Sequence, residues 1–427
     1  MPSLRGTTCR GNLLHLFYID EKYKIVIMNI FKKIYCRAFQ TCFKIALPFL
    51  PYRKPEISYS TLKLVLEFEK EHIRNVLIVT DKSIRDLGLL NDLEENLKSR
   101  QMKYVIYDKT VANPTTTNVE EARQMYIDNF CTAVIGFGGG SSIDCAKAVA
   151  ARIAKPKQPL SKMKGIMKVH KKLPPLAAVP TTAGTGSETT LAAVITDAQT
   201  RHKYAINDFP LIPKYAVLDP KVTLSLPPSI TAATGMDALT HAVEAFIGNS
   251  TTKETRHDAL LATKLIFENI FTAFSDGKNK EARKNMLKAS FYAGAAFTKS
   301  YVGYVHAVAH TLGGEYNIPH GLANATLLPF VLEAYGKKAW KKLHKLGIAA
   351  GVCDEKDSHE TGAKKFIEAV KEMKKTLGIG DTLKGIKETD IPKLADYADR
   401  EGNPLYPVPV LMNAKELQKF YYMVMEK

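Results

Sequence analysis

The feature that most constrains the fold is an alternation of short β-rich runs with longer helical runs, which begins near residue 60. The β-rich runs are NVLIVTD, which ends at Asp81, then KYVIYD and TAVIGFGGG. Segments with helical spacing lie between them, such as SIRDLGLLNDLEENLKSR and VEEARQMYIDNF. Strands that alternate with helices of this length form parallel sheets with helical crossovers. We therefore expect an α/β domain with a parallel sheet, which continues through PLAAVPTTAGTG and YAVLDP.

The alternation stops after LSLPPSI, and long segments with helical periodicity follow, from ITAATGMDALTHAVEAFI to HAVAHTLG and beyond. Pro227 and Pro228 mark the change, because proline often lies at the boundary between secondary-structure elements. A chain of 427 residues is also too long to fold around one ordinary hydrophobic core. We predict an N-terminal arm over residues 1–57, an α/β domain over residues 58–225 and an all-α domain over residues 226–427.

A glycine cluster joins one predicted strand to a helix in TAVIGFGGGSSIDCAKAVAARIA. Gly138, Gly139 and Gly140 allow the backbone to approach a ligand closely, and Ser141 or Ser142 can cap the helix. A free helix N-terminus favours an anion such as pyrophosphate. The cluster is not a GxGxxG motif, and a tight turn without a ligand is the alternative.

A second loop of small residues, PTTAGTGSE, follows the strand PLAAV and presents the hydroxyls of Thr181, Thr182 and Thr185. Ligands of open parallel sheets bind at the carboxyl ends of strands, so both loops predict one nucleotide crevice. Asp81 ends an earlier strand, where its carboxylate can bind ribose hydroxyls and repel a 2′-phosphate. This favours NAD over NADP, unless Asp81 is an incidental surface residue.

Histidines and one carboxylate form a candidate metal site in the helical half. His306 and His310 are four residues apart, and His320 follows a Gly-Gly break and the turn NIP at a predicted helix start. An HxxxH pair alone is more often structural, but Asp237 and His241 show the same spacing on an earlier helix. Three imidazoles and one carboxylate suit Fe²⁺, Zn²⁺, Co²⁺ or Ni²⁺. The predicted ligands are Asp237, His241, His306 and His320.

His310 is left over from this set and lies one helical turn from His306. Its ordinary pKa lies near neutrality, which makes it a candidate carrier of the substrate proton. A histidine that is packed and hydrogen-bonded to the backbone is the competing interpretation.

The formal net charge is +17, and part of it lies in residues 1–57 and in the basic stretch over residues 152–172. A mobile solvated loop is the simpler interpretation of this stretch, and a basic rim for a phosphate-bearing cofactor is the other. No run of 18 apolar residues and no RNA-binding motif is present, so we expect no membrane span and no nucleic-acid partner. The segment from Met28 predicts an amphipathic helix that touches a membrane or a partner. The alternative, which we favour, is an arm packed on the protein body.

Four motifs, GGGSSIDCAKA, PTTAGTGSE, GMDALTHAVEAF and HAVAHTLGGEYNIPHGLANATLLP, resemble those of the iron-containing (group III) alcohol dehydrogenases in order and spacing. The resemblance covers about residues 58–427 and implies the dehydroquinate synthase-like architecture, with an α/β dinucleotide-binding domain before an all-α metal-binding catalytic domain. It implies metal ligands at Asp237, His241, His306 and His320, and a histidine near the nicotinamide at His310. The nucleotide contacts that it implies are Asp81, Asn113, Gly139, Gly140, Ser141, Thr181, Thr182, Thr185 and Lys203.

The implied activity is hydride transfer between NAD(H) and an alcohol or aldehyde, with Fe²⁺ or another divalent transition metal as cofactor. Leu191, Ala192 and Ala193 suggest a small apolar wall and hence short aliphatic substrates. The alternatives are a glycerol dehydrogenase-like or dehydroquinate synthase-like enzyme, and a non-catalytic basic surface binder. Six cysteines without paired spacing indicate a reducing compartment, so we expect a cytoplasmic enzyme. We also expect a homodimer or larger homo-oligomer.

Overall fold

The computed structural model describes residues 21–426, with side chains from Ile30 onward. The first part of the predicted arm, residues 1–20, therefore lies outside the described residues. A six-stranded, wholly parallel sheet forms the first half of the molecule, with the strand order β1-β9-β6-β4-β2-β3. Its strands are β1 (Glu56–Ser58), β2 (Asn75–Val79), β3 (Lys103–Tyr107), β4 (Ala133–Gly138), β6 (Leu176–Pro180) and β9 (Tyr215–Val217).

A smaller, three-stranded sheet has the strand order β5-β8-β7. It comprises β5 (Gly165–Ile166), β7 (Ala192–Thr196) and β8 (Lys203–Asn207), and the pair β7–β8 is an antiparallel hairpin. The sequence did not predict this hairpin. The basic stretch over residues 152–172 is also more ordered than a mobile loop, since it contains α7 (Leu160–Met163) and β5. Its first residue, Arg152, is buried and binds Glu120.

Helices cross between the strands of the large sheet, as expected for parallel connections. They are α2 (Thr61–Lys70), α3 (Lys82–Asp86), α4 (Asn91–Ser99), α5 (Thr116–Asp128) and α6 (Gly140–Ala154). The segment SIRDLGLLNDLEENLKSR is divided between α3 and α4 instead of forming one helix. Gly88 lies between them with a φ of +66°, a conformation that ends a right-handed helix.

The second half is helical and begins at Pro228, where the ring suits the first helical turn. Its helices are α8 (Pro228–Ile247), α9 (Lys253–Ser275), α10 (Lys280–Ser300), α11 (Tyr304–Tyr316), α12 (His320–Tyr335), α13 (Lys337–Ala349), α14 (His359–Thr376), α15 (Ile391–Gly402) and α16 (Ala414–Val424). The helix α11 runs through Gly313 and Gly314, so the predicted break there is wrong, and the chain turns at Asn317 instead. Helix α12 begins at His320, as predicted.

The N-terminal helix α1 (Glu21–Ala46) packs on this helical half. Cys36 is buried in the helical core, and Arg37 donates hydrogen bonds to the carbonyls of Val408 and Pro409. Gln40 donates to the carbonyl of Tyr406. The segment from Met28 is thus packed on the protein body, in agreement with the interpretation that we favoured. No helix among the described residues is long and apolar enough to cross a bilayer.

Candidate metal centre and nucleotide cleft

Helices α8, α11 and α12 bring the four predicted metal ligands together. Ligand atoms of Asp237, His241, His306 and His320 all lie within 4.8 Å of one another. Oδ1 of Asp237 is 3.4 Å from Nε2 of His320 and 3.9 Å from Nε2 of His306. The i, i+4 spacing on α8 places Asp237 and His241 on one face of the helix, and the start of α12 supplies His320.

The protonation of these side chains suits a cation. Burial lowers the pKa of His306 well below its usual range, and it lowers that of His320 to about 4. Burial also lowers the pKa of His241. The imidazoles are therefore neutral at physiological pH, which is the form that binds metals. Nε2 of His306 is buried without a hydrogen-bond partner among the described residues. A divalent cation would satisfy this nitrogen, so the donor set fits the expected metal.

Two further residues support the candidate ligands, and the sequence did not single them out. Nδ1 of His306 lies 2.6 Å from Oε2 of Glu244, and Glu244 also accepts from the backbone N–H groups of Gly303 and Val305. Such a carboxylate fixes the tautomer of a ligating histidine. The amide of Asn324 donates to Oδ1 of Asp237 at 2.7 Å. Glu244 is three residues after His241, and Asn324 is four after His320, so helical spacing was a signal that could have found both.

A close approach of two helices helps to place His320. A Cβ at Gly321 would lie 2.4 Å from the carbonyl oxygen of Ala233, a contact that no side chain can make without backbone movement. Glycine at this position therefore lets the first turn of α12 lie directly against α8, which carries Asp237.

His310 lies beside the ligands without joining them. Its ring stacks on that of His320 at a centroid distance of 5.2 Å, and its Nδ1 lies 2.6 Å from Oε1 of Glu401. Tyr406 donates a second hydrogen bond to the same oxygen. The side chain of His310 is 43% exposed, and desolvation by the surrounding protein opposes its charge. The Glu401 carboxylate outweighs this effect and raises the His310 pKa. The partner of His310 is a carboxylate, so the interpretation as a histidine bonded to the backbone is wrong.

The two predicted nucleotide loops meet at the carboxyl edge of the large sheet. The backbone N–H of Thr181 donates to the carbonyl of Gly138 at 3.0 Å. Gly138 has a φ of +146°, and a Cβ there would lie 2.6 Å from Oγ of Ser142. Gly140 lies next to the side chain of Thr185, and Gly139 lies near that of Thr182. The loops thus form one continuous small-residue surface.

The N-terminus of α6 carries no side-chain cap. Gly139 is the N-cap residue, and neither Ser141 nor Ser142 caps the helix, so that prediction is wrong. Ser142 donates instead to the carboxylate of Asp81 at 3.2 Å, and Oγ of Ser141 is 3.4 Å from the backbone nitrogen of Asn113. The first N–H groups of α6 therefore remain available to an anion.

Asp81, Asn113 and Lys203 border this surface. Asp81 follows β2 and also accepts a hydrogen bond from the N–H of Ile84, which caps α3. Nζ of Lys203 donates to Oδ1 of Asn113 at 2.6 Å. Desolvation by the surrounding protein lowers the pKa of the exposed Lys203, and the charge of Lys203 lowers the pKa of His320. Lys203 therefore lies on the same side of the molecule as the candidate ligand His320.

A buried lysine beneath the second loop was not expected from the sequence. Lys147 on α6 donates to the carbonyls of Thr190 and Ala192 and to the hydroxyl of Thr190. It also contacts Ser187, which donates to Asp144 at 2.6 Å. Burial lowers the Lys147 pKa to about 8. These bonds fix the loop PTTAGTGSE onto the helix that follows the glycine cluster.

The segment Leu191–Ala193 does not form the expected apolar wall. Ala193 is fully buried in the core of the α/β half, and Ala192 lies on β7 with its carbonyl bound to Lys147. The hydrophobic residues here complete the smaller sheet and its packing on α6, and the segment gives no basis for short substrates.

Comparison with known proteins agrees with this arrangement. The family described as iron-containing alcohol dehydrogenase matches residues 59–220, and its C-terminal counterpart matches residues 231–425. Alcohol dehydrogenase 4 of Saccharomyces cerevisiae is 39% identical over 342 residues, which cover 78% of this chain and 88% of the yeast protein. The segment before residue 59 lies outside both family matches.

Solved structures give the same result. The crystal structure of a 1,3-propanediol oxidoreductase aligns with a TM-score of 0.83 and 34% identity, covering 87% of this chain and 98% of that one. A sulfoacetaldehyde reductase of Bifidobacterium kashiwanohense, solved in complex with NAD⁺, aligns with a TM-score of 0.78 and 28% identity, covering 87% and 98%. This chain belongs to the iron-containing alcohol dehydrogenase family and is an oxidoreductase that acts on CH–OH groups.

Proposed function

We propose that this enzyme interconverts short-chain alcohols and their aldehydes with NAD(H), and that Fe²⁺ is its preferred metal. The names of two relatives, a 1,3-propanediol dehydrogenase of Citrobacter freundii and a lactaldehyde reductase of Escherichia coli, support small substrates. Zn²⁺ or another divalent transition metal is compatible with the same donors. The observation that supports the proposal most is the convergence of Asp237, His241, His306 and His320 within 4.8 Å. We assign these four residues as the metal ligands.

We assign the nucleotide to the surface formed by the two loops. The free N–H groups of α6 and the close approach permitted by Gly138, Gly139 and Gly140 suit a pyrophosphate. The carboxylate of Asp81 suits ribose hydroxyls and disfavours a 2′-phosphate, which supports NAD over NADP. The remaining contacts that we propose are Asn113, Ser141, Thr181, Thr182, Thr185 and Lys203.

When bound, the cation supplies a Lewis acid for the substrate oxygen, and the nicotinamide supplies or accepts the hydride. Glu244 holds the proton on Nδ1 of His306 and so directs Nε2 toward the ligand centre. Glu401 holds Nδ1 of His310 in the same manner, which leaves Nε2 of His310 to carry the substrate proton between the cleft and solvent. Lys203, which donates to Asn113, provides a positive charge that lowers the pKa of His320.

An aldehyde panel tests this proposal. The protein is purified anaerobically, its metal content is measured, and the oxidation of NADH and of NADPH is followed with aldehydes of increasing chain length. We expect turnover that depends on a divalent transition metal, prefers NADH and is fastest with short aliphatic aldehydes. Metal-loaded protein that oxidises neither nucleotide with any aldehyde of the panel would contradict the proposed activity.

The cellular setting is also a proposal. The five cysteines among the described residues are free thiols, which supports a reducing compartment and hence the cytoplasm. We further propose a homodimer or larger homo-oligomer, which light scattering of the purified protein will test.

A further inference from the structure

One face of α1 is apolar and exposed. Phe31, Ile34 and Ile45 are 66%, 59% and 65% exposed, and Phe49 just beyond the helix is 84% exposed. These positions recur at three- and four-residue intervals or their multiples, so they line a single side of the helix. An exposed stripe of large apolar side chains marks a surface that binds a membrane or another molecule.

The opposite face holds the helix in a fixed position. Lys32 forms an ion pair with Asp399 at 2.7 Å, and Cys36 and Gln40 are buried against the helical half. The side chain of Phe43 packs edge-on against Tyr301. The apolar stripe is therefore not the surface by which α1 attaches to its own protein. The contacts of the opposite face hold α1 in place on the helical half.

Cations border the stripe. Lys33 and Lys44 lie on the helix beside it, eleven residues or about three turns apart, and they occupy the same edge. Burial, together with the charges of Lys44 and Arg256, lowers the pKa of Lys342 to about 8, so these three basic side chains lie in one region of the surface. The ammonium of Lys342 donates to the carbonyls of Ile247 and Gly248. None of the four forms a salt bridge with a carboxylate in the described part of the chain. The sequence from Met28 to Pro55 contains no Asp or Glu.

We propose that α1 is an interfacial helix that docks the enzyme on an anionic lipid surface, with the Phe31–Ile34–Ile45 stripe inserted among the acyl chains near the headgroups. An amphipathic helix with apolar residues on one face and Lys or Arg along its border binds such interfaces in the membrane plane. Unpaired cations at the border are attracted to anionic headgroups. The helix lies on the surface and does not span it, in accord with its polarity.

A second copy of the chain fits this face less well. A two-fold contact uses the same surface patch of both copies, so Lys33 and Lys44 of one copy would lie close to the equivalent cations of the other. The helix offers no carboxylate between Met28 and Ala46 to compensate this repulsion. An anionic bilayer supplies the opposite charge along the whole stripe.

Vesicle binding by the full chain tests the proposal. Co-sedimentation is measured with vesicles of phosphatidylcholine alone and of phosphatidylcholine mixed with phosphatidylglycerol. We expect partition onto the mixed vesicles that weakens at high salt, because surface charges are screened. The triple variant Phe31→Gln/Ile34→Gln/Ile45→Gln should lower this partition by at least about tenfold, since three apolar side chains no longer insert. Glutamine keeps the helix propensity of these positions.

A matched variant controls for loss of apolar surface in general. Val111, Ile127 and Phe130 are exposed apolar residues of the α/β half, and their simultaneous change to glutamine should leave vesicle binding unchanged. Both triple variants should melt at the temperature of the wild type. Wild-type protein that binds neither vesicle type, or equal binding by the α1 variant and the wild type, would overturn the proposal. A dimer that dissociates in the α1 variant, without any vesicle binding, would assign the stripe to a second copy instead.

Discussion

Oε2 of Glu244 lies 2.6 Å from Nδ1 of His306, and both side chains are almost completely buried. Burial raises the Glu244 pKa to about 7, and the N–H groups of Gly303 and Val305 oppose that shift. The carboxyl group of Glu244 on α8 thus binds the start of α11 as well as the candidate ligand His306. This relationship predicts that metal retention depends on a residue that is not a ligand.

Replacement of Glu244 by glutamine should weaken metal affinity by about ten- to a hundredfold, since outer partners of ligating histidines contribute by this amount. The measurement is competition with a chelator, followed by metal analysis of the protein fraction. Glu268→Gln, a change of the same kind at an exposed position of α9, should retain the metal like the wild type. Equal chelator resistance of the Glu244 variant and the wild type would refute the supporting role.

Replacement of Asp81 by serine should relax the preference for NADH. Serine can still cap α3, so the change removes mainly the negative charge that would repel a 2′-phosphate. We expect the ratio of kcat/KM for NADPH to that for NADH to rise by about tenfold or more. Asp86→Ser, on the exposed surface of α3, should leave the ratio unchanged. A constant ratio in the Asp81 variant would remove this residue from the nucleotide site.

Replacement of Lys147 by methionine should weaken NADH binding while the metal stays bound. The four oxygen partners of Lys147 belong to the loop PTTAGTGSE and the residues that follow it, so their loss should release this loop. We expect a lower melting temperature and a Kd for NADH that is higher by about tenfold, because buried acceptors remain unpaired. Lys157→Met at an exposed position is the control. An unchanged Kd would show that the loop does not bind the nucleotide.

Glu188 should make stability depend on pH. Burial raises its pKa from 4.5 to about 7. The unfolded chain releases this proton near pH 4.5 and the folded protein only near pH 7, so stability falls as the pH rises through this window. The difference corresponds to at most about 3 kcal/mol.

Melting temperatures at pH 5 and pH 8 measure this effect. Glutamine cannot ionise, so Glu188→Gln should be more stable relative to the wild type at pH 8 than at pH 5. Glu416→Gln, at an exposed helix start, should show no such pH-dependent difference. Parallel pH curves for the wild type and the Glu188 variant would contradict the raised pKa.

Local spacing was sufficient to predict that Asp237, His241, His306 and His320 converge, because Asp237 and His241 share one helical face and His320 stands at a helix start. The parallel sheet followed from the alternation of strands and helices. The supporting residues did not follow, since the roles of Glu244, Asn324 and Lys147 depend on partners that are distant in the chain. The β7–β8 hairpin lacks a two-residue turn signal, so the sequence did not predict it. Tertiary packing keeps α11 helical at Gly313 and Gly314, although glycine disfavours helices.

Metal stoichiometry is the most direct test of the central claim, that three helices bring four side chains to one divalent cation beside the nucleotide cleft. The metal content of wild-type protein, His320→Ala and the exposed control His257→Ala is measured after identical anaerobic purification, together with NADH binding. The account predicts one transition-metal ion per chain in the wild type and the control, and little or none in His320→Ala, with NADH bound by all three. A His320→Ala protein that holds metal at the wild-type stoichiometry would contradict it.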